Sequence, residues 1–255
     1  MKTKYVDAHA HINEEIFDKD RDEIIRECEK KGILIIDCGG TKKSNRKSLN
    51  LAKKYSNIRS NIGICPTEVL ELNDTEFFKE LNFIEQNKNQ IVGLGESGID
   101  KYWFKKDEEV MKQYERFKEI IWLANKLKLP LNVHSRAAEA ETIAILSKSA
   151  HVPVLLHSFD DVELAKVAVK ECFYIGIAPI VVRSNKHKRL VETLPIDNIL
   201  TETDSPYRGI TQERNDPRNI PLVVEKIAEI KKMDIEETRK ILLENAKKVF
   251  RLDHV

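Results

Sequence analysis

No run of this chain is apolar for long enough to cross a membrane, and no tract is of low complexity or internally repeated. Integral membrane, fibrous and repeat architectures are therefore not expected. An excess of one charge is also missing: 43 Lys and Arg against 42 Asp and Glu leave a net charge of +1. A protein that coats nucleic acid normally carries a basic stripe, so any nucleic-acid chemistry here is local, near a chain end and a metal. The four cysteines, Cys28, Cys38, Cys65 and Cys172, contain no Cys-x-x-Cys pair. They read as reduced thiols of a cytoplasmic protein. Met1-Lys2-Thr3-Lys4 leads directly into an apolar run, so no signal peptide is expected. Aromatics are only 7% of residues and no cluster of stacking side chains stands out, which argues against a non-catalytic nucleic-acid-binding protein.

What the chain does have is alternation. Short β-branched runs near 4–9, 33–38, 58–64, 91–95, 130–134, 152–157, 173–178 and 198–203 are nearly continuous in apolar residues, the pattern of strands covered on both faces. Segments of helical period lie between and after them. Residues 20–31 place Ile24, Ile25 and Cys28 on one face, and 107–128 repeats Val110, Tyr114, Phe117, Ile120, Ile121 and Ala124 at spacings of three and four. Further helices are expected at 75–88, capped by Asp74 or Thr75, and at 137–149, 161–171, 185–193, 221–232 and 235–250. Asp234 and Glu237 have the spacing of a capping box. Eight strands alternating with helices, joined by right-handed crossovers, give an α/β chain in a TIM-type (β/α)8 barrel; an open doubly wound sheet is the second choice. Residues 1–255 read as a single domain, a length typical of such barrels.

Six side chains of metal-binding type sit at the ends of five of these runs: His9 and His11, Glu96, His134, His157 and Asp204. Imidazole nitrogen and carboxylate oxygen are the usual ligands of catalytic zinc and related ions. His9 and His11 are two apart, so in a strand both face one side. Each residue alone has a plain structural reading: a core histidine, a capping carboxylate, an Asx-turn before Pro206. Those readings give no reason for all six to end strands one, four, five, six and eight, whose ends meet at one mouth of a closed barrel. Lys186-His187-Lys188-Arg189 reads as a solvated helix face. Arg208, Arg214 and Arg218 read as ordinary solvated charge, and His151 and His254 have no partner spacing.

In order along the chain, Asp7-Ala8-His9-Ala10-His11, Gly95-Glu96-Ser97-Gly98-Ile99-Asp100, Leu129-Pro130-Leu131-Asn132-Val133-His134-Ser135-Arg136, His157-Ser158-Phe159, Glu202-Thr203-Asp204-Ser205-Pro206-Tyr207 and Arg218-Asn219-Ile220-Pro221 are similar to the motifs of the TatD-type metal-dependent hydrolases, within the amidohydrolase-like superfamily. The resemblance covers nearly the whole chain. It implies a distorted barrel with one or two divalent ions (zinc, manganese or magnesium). His9, His11 and Asp204 would hold the first, Glu96 would bridge, and His134 and His157 would complete the second. It also implies a deoxyribonuclease, often a 3′-to-5′ exonuclease, acting on single-stranded DNA ends. Three positions depart from the family pattern. Cys65 stands where a histidine usually precedes the proline, Ala137 where an aspartate usually follows His134-Ser135-Arg136, and Ser158 with Asp160-Asp161 where a cysteine and a small-residue turn are common. Cys65 is expected to be a buried small residue.

The expected chemistry is phosphodiester hydrolysis by a metal-activated water, with Asp204 as general base, Glu96 as the bridging carboxylate and Arg136 donating to the phosphate. Arg136 has a competing reading as a surface ion pair at a helix start. The alternative function is hydrolysis at carbon, such as an ester on D-aminoacyl-tRNA or an amide, in which the same ions would polarise a carbonyl.

Overall fold

The computed structural model describes residues 2–250 and 252, so His254 lies outside the described residues. Eight strands, Tyr5–Ala10 (β1), Ile33–Cys38 (β2), Ile58–Ile62 (β3), Ile91–Gly98 (β4), Leu131–His134 (β5), Val154–Leu156 (β6), Tyr174–Ile177 (β7) and Ile199–Thr201 (β8), pair in chain order. Every pairing is parallel. Around them lie Arg21–Lys31 (α1), Lys42–Lys54 (α2), Pro66–Glu71 (α3), Asp74–Gln86 (α4), Asp107–Leu127 (α5), Glu139–Ser149 (α6), Val162–Lys170 (α7), Asn185–Thr193 (α8), Ile220–Lys231 (α9) and Ile235–Phe250 (α10). This is a (β/α)8 barrel. Among the described residues no helix is long and apolar enough to span a membrane.

Helix α2 is absent from the sequence reading, and its composition explains why. Its inner face is largely polar, with Asn45 and Ser48 buried beside Leu49 and Leu51. Asn45 donates to the Gly63 carbonyl and to Glu80, and Ser48 to the Asp37 carbonyl. Burial is compensated by hydrogen bonds rather than announced by apolar period. The cap of α4 is Asn73, not Asp74 or Thr75: its side chain accepts from the Glu76 N–H while Glu76 accepts from the Asn73 N–H. Asp234 does accept from the Glu237 N–H at 3.0 Å, as expected. His187 is not solvated. It is buried on α8, with its ring against the Ser184 hydroxyl at 2.8 Å.

The interior is divided by height. Val6, Ala8, Leu34, Ile36, Cys38, Leu155 and Leu200 share one apolar cluster with Ala246, Val249 and Phe250 of α10. Strands β2 and β6 lie across the barrel from each other, so a cluster shared by them fills its lumen, and α10 plugs the lower end. Above this plug the same strands present polar groups. On β5 and β6 the simple alternation Asn132, His134 and Leu155, His157 serves. On β1 it does not suffice. Val6 and Ala8 face the lumen, yet Ala10 and Ile12 pack outside against Phe17, Ile24 and Ile25. An irregularity between Asp7 and Ala10 adds one residue to β1 against β2. This β-bulge reverses the parity and aims His9 and His11 inward. A second irregularity, between Leu94 and Ser97 on β4, flanks Glu96.

Glycine is required at both ends of that second irregularity. A Cβ on Gly95 (φ +151°) would lie 2.2 Å from the Asn132 carbonyl oxygen, and one on Gly98 (φ +152°) 1.9 Å from that of His134. Strand β4 thus approaches β5 too closely for any side chain.

The seam between β1 and β8 is built largely from side chains. The buried Asp7 carboxylate accepts from the Thr203 N–H at 2.8 Å and the Thr203 hydroxyl at 2.6 Å, and Thr201 donates to the Val6 carbonyl at 2.7 Å. At the mouth backbone also pairs with backbone: the Asp204 N–H donates to the His9 carbonyl and the His11 N–H to the Ser205 carbonyl, each at 2.8 Å. Burial raises the Asp7 carboxyl to about 8 despite those hydrogen bonds.

Candidate metal centre

The six residues anticipated from sequence converge at the barrel mouth. Glu96 lies between two histidine pairs. Its Oε1 is 2.8 Å from His134 Nδ1 and 3.1 Å from His157 Nε2, while its Oε2 is 3.3 Å from His11 Nε2 and 3.8 Å from His9 Nε2. Asp204 Oδ1 stands 3.8 Å from both His9 Nε2 and His11 Nε2. Asp204 is itself in the left-handed region (φ 51°), a conformation Asp adopts more readily than most residues. The rings of His9 and His157 stack at 3.9 Å, tilted by only 3°.

Hydrogen bonds on the far side of three of the four rings fix which nitrogen faces the centre. The His9 Nδ1–H donates to Asn132 Oδ1 at 2.9 Å, because the Asn132 amide nitrogen is committed to the Ala8 carbonyl. The His11 Nδ1–H donates to the Cys38 carbonyl at 3.0 Å. Each neutral ring therefore turns an unprotonated Nε2 inward, and the two Nε2 atoms are 3.0 Å apart. Two lone pairs at that distance need a cation between or beside them. Burial opposes charge on His11, but the Glu96 and Asp204 carboxylates outweigh it and raise its pKa. Burial, with His157 and His11 alongside, holds His9 well below the usual range. Ligand atoms on a tetrahedral ion with bonds of 2.0–2.1 Å sit about 3.3 Å apart, and the observed separations of 3.0 and 3.8 Å lie on either side of that value. His9, His11 and Asp204 form one group able to hold an ion, and His9, Glu96 and His157 another.

His134 is turned the other way. Its Nε2–H donates to Asp100 Oδ2 at 2.9 Å, leaving Nδ1 toward Glu96. Burial opposes the cation, but Asp100 and Glu96 raise it to about 9 without metal. Burial would push Glu96 up, yet His157 and His134 hold it well below the usual range. Asn132 and Asp100 lie within the family-like motifs, yet their roles as ring partners emerge only in the fold. The available signal was spacing: Asn132 precedes His134 by two on one strand face. His157 differs from the other three rings, since its buried Nδ1 has no partner among the described residues.

Two cavities open on this centre. One, of about 440 Å³, is bordered by Cys65, Thr41 and Lys43 as well as His11 and Glu96; the other, of about 780 Å³, by His157, Asp204, Ser158 and Arg208. Arg136 and Trp103 border both. Arg136 makes no ion pair among the described residues; its guanidinium lies 3.8 Å over the Tyr102 ring. Cys65 faces a cavity rather than being wholly buried, but burial pushes its thiol up to about 12, so it is no nucleophile at neutral pH. Arg214 and Arg218 are not free charges: Arg214 pairs with Asp20, and Arg218 with Asp216 and Glu27. The expectation of no aromatic cluster also fails, because Tyr102 and Trp103 stand together at the rim.

Comparison with known proteins identifies the family of the chain. Residues 6–251 match the model of the TatD related DNase family. The chain is 39% identical to an uncharacterized metal-dependent hydrolase of Methanocaldococcus jannaschii, covering 97% of each. It is 31% identical to the human deoxyribonuclease TATDN3, covering 96% of this chain and 94% of that one. The crystal structure of a TatD homologue from Escherichia coli superposes with a TM-score of 0.89 at 22% identity, covering 99% of this chain and all of that one, which supports the fold. With its barrel and the match along nearly its full length, the chain belongs to the TatD related DNase family of metal-dependent hydrolases.

Proposed function

We propose that residues 1–255 act as one cytoplasmic deoxyribonuclease domain that removes nucleotides from single-stranded DNA ends in the 3′-to-5′ direction, using two divalent ions (zinc, manganese or magnesium). The observation that carries the metal assignment is the pair of unprotonated His9 and His11 nitrogens meeting at 3.0 Å beside two carboxylates. His9, His11 and Asp204 would hold the first ion, and His134 and His157 the second. Glu96, between the two histidine pairs, would serve both. When bound, such ions polarise phosphoryl oxygens and make water a competent nucleophile near neutral pH.

The chain's own residues do the rest. Asp204 accepts the proton of the attacking water; its backbone is fixed through its N–H to the His9 carbonyl and through its own carbonyl to the Tyr207 N–H. Arg136 offers its N–H edges to the phosphate, with no carboxylate among the described residues competing for them. Human TATDN3 is named a deoxyribonuclease, which supports DNA over the carbon-ester alternative. The free state of Cys28, Cys38, Cys65 and Cys172 fits a reducing compartment.

The test is digestion of 3′-labelled and 5′-labelled single-stranded oligonucleotides by metal-reconstituted protein, beside Glu96→Ala and Asp204→Ala. Stepwise shortening from the 3′ end by the wild type, with both folded variants inactive, is expected. Full activity in either variant, or no cleavage by wild type with metal bound, refutes the reading.

A further inference from the structure

We propose that Trp103 and Tyr102, with Arg136 behind them, form a stacking platform for one nucleobase of the bound strand. The proposal rests on reading the centre as a DNA-cleaving site. Tyr102 is 48% and Trp103 67% exposed, unusual for such large aromatics. They are in edge contact, with ring centroids 4.8 Å apart at 89°. The Arg136 guanidinium stacks 3.8 Å from the Tyr102 centroid and lies 5.5 Å from that of Trp103. Aromatic faces beside an unpaired arginine are the chemistry that holds a single strand: the π-face takes a base and the cation takes the adjoining phosphate.

The platform is tied to the metal centre. Asp100 accepts from the backbone N–H groups of Tyr102 and Trp103 through Oδ1, both at 2.9 Å, and from His134 through Oδ2 at 2.9 Å. One carboxylate thus sets both the aromatic loop and a proposed ligand ring. The Lys101 N–H donates to the Arg136 carbonyl at 2.9 Å, joining the loop after β4 to the loop after β5. Trp103 borders both cavities, so a base seated on it lies beside the centre with room on either side for its neighbours. A base reaches the platform only when it is out of a duplex stack. The platform therefore selects unpaired ends, and it favours bases that stack strongly, purines over pyrimidines.

The experiment compares two labelled single-stranded phosphorothioate oligonucleotides, identical except that one carries adenine and the other an abasic sugar at the 3′-terminal residue. Binding to metal-loaded protein is followed by anisotropy. The adenine-ended strand is expected to bind about 5- to 150-fold more tightly, the range for one stacked base. Trp103→Ala should erase that ratio, and Trp103→Phe should keep most of it. In a Trp122→Phe background, which leaves Trp103 as the only indole, only the adenine-ended strand should quench emission. A ratio near one in the wild type, or an unchanged ratio in Trp103→Ala, overturns the platform. Hydrolysis of the all-phosphate strand is read in parallel. Hydrolysis without base-dependent binding removes the platform and leaves the nuclease reading standing. Base-dependent binding that is lost with Trp103→Ala, but without hydrolysis, keeps the platform and removes the nuclease reading. The absence of both removes both.

Discussion

Replacing Asp100 by Asn changes one heavy atom and should reverse the tautomer of one ring. Asp100 Oδ1 accepts two backbone N–H groups, and Oδ2 accepts the His134 Nε2–H. In Asp100→Asn the remaining oxygen stays with the two backbone donors. Turning the amide over would forfeit two hydrogen bonds of about 1 kcal/mol each and set donors against donors. The amide nitrogen therefore faces His134 Nε2. A donor there demands an acceptor, so His134 must move its proton to Nδ1, the nitrogen 2.8 Å from Glu96 and the one proposed to hold the second ion. Outer partners of this kind typically contribute 10- to 100-fold in metal affinity, about 1.4–2.7 kcal/mol. Chelator competition measures this directly, with zinc as the probe. The weaker ion should dissociate 10- to 100-fold more readily in Asp100→Asn, and oligonucleotide hydrolysis should recover in part as zinc is raised. The backbone caps survive, so the thermal midpoint of the metal-free protein should stay within a few degrees of the wild type. Zinc affinity within threefold of wild type would show that the tautomer argument is wrong.

Two further substitutions probe the scaffold. Gly98→Ala places a Cβ 1.9 Å from the His134 carbonyl oxygen in a backbone region hostile to alanine, and should lower unfolding free energy by roughly 3 kcal/mol or more; an unchanged urea midpoint would contradict the close β4–β5 approach. Burial, reinforced by Arg208, lowers His187 from 6.5 to about 4. Between those values the unfolded chain binds the extra proton, so stability should fall as pH drops from 6.5 to 4, by about 2 kcal/mol after discounting for nearby solvent. His187→Gln should flatten that part of the pH–stability curve, and identical slopes in both proteins would reject the assignment.

The strands and the six converging residues were legible because each leaves a local mark: a β-branched run with a polar residue at its end. What escaped the sequence depends on contacts distant in the chain. Helix α2 hides because Asn45 and Ser48 bury themselves by bonding to Gly63, Glu80 and Asp37. His187 sits in a run of cations and looks solvated until α8 packs. The spacing of His9 and His11 predicts one face, but not the bulge that lets that face coincide with the lumen already occupied by Val6 and Ala8. Tyr102 and Trp103 look like two stray aromatics until Arg136, from the next strand's loop, stacks on them.

The seam between β1 and β8 gives the proposed first ion a second task. Asp7 and Thr203 join across it although 196 residues separate them, and above them His9 and His11 on one side meet Asp204 on the other. An ion held by those three would be a removable rivet through the last joint of the barrel. The loop it closes is almost the whole chain, the case in which a cross-link removes most freedom from the unfolded state. Loading with metal and locking the barrel shut would then be a single event, and a chelated molecule would first loosen along this one joint.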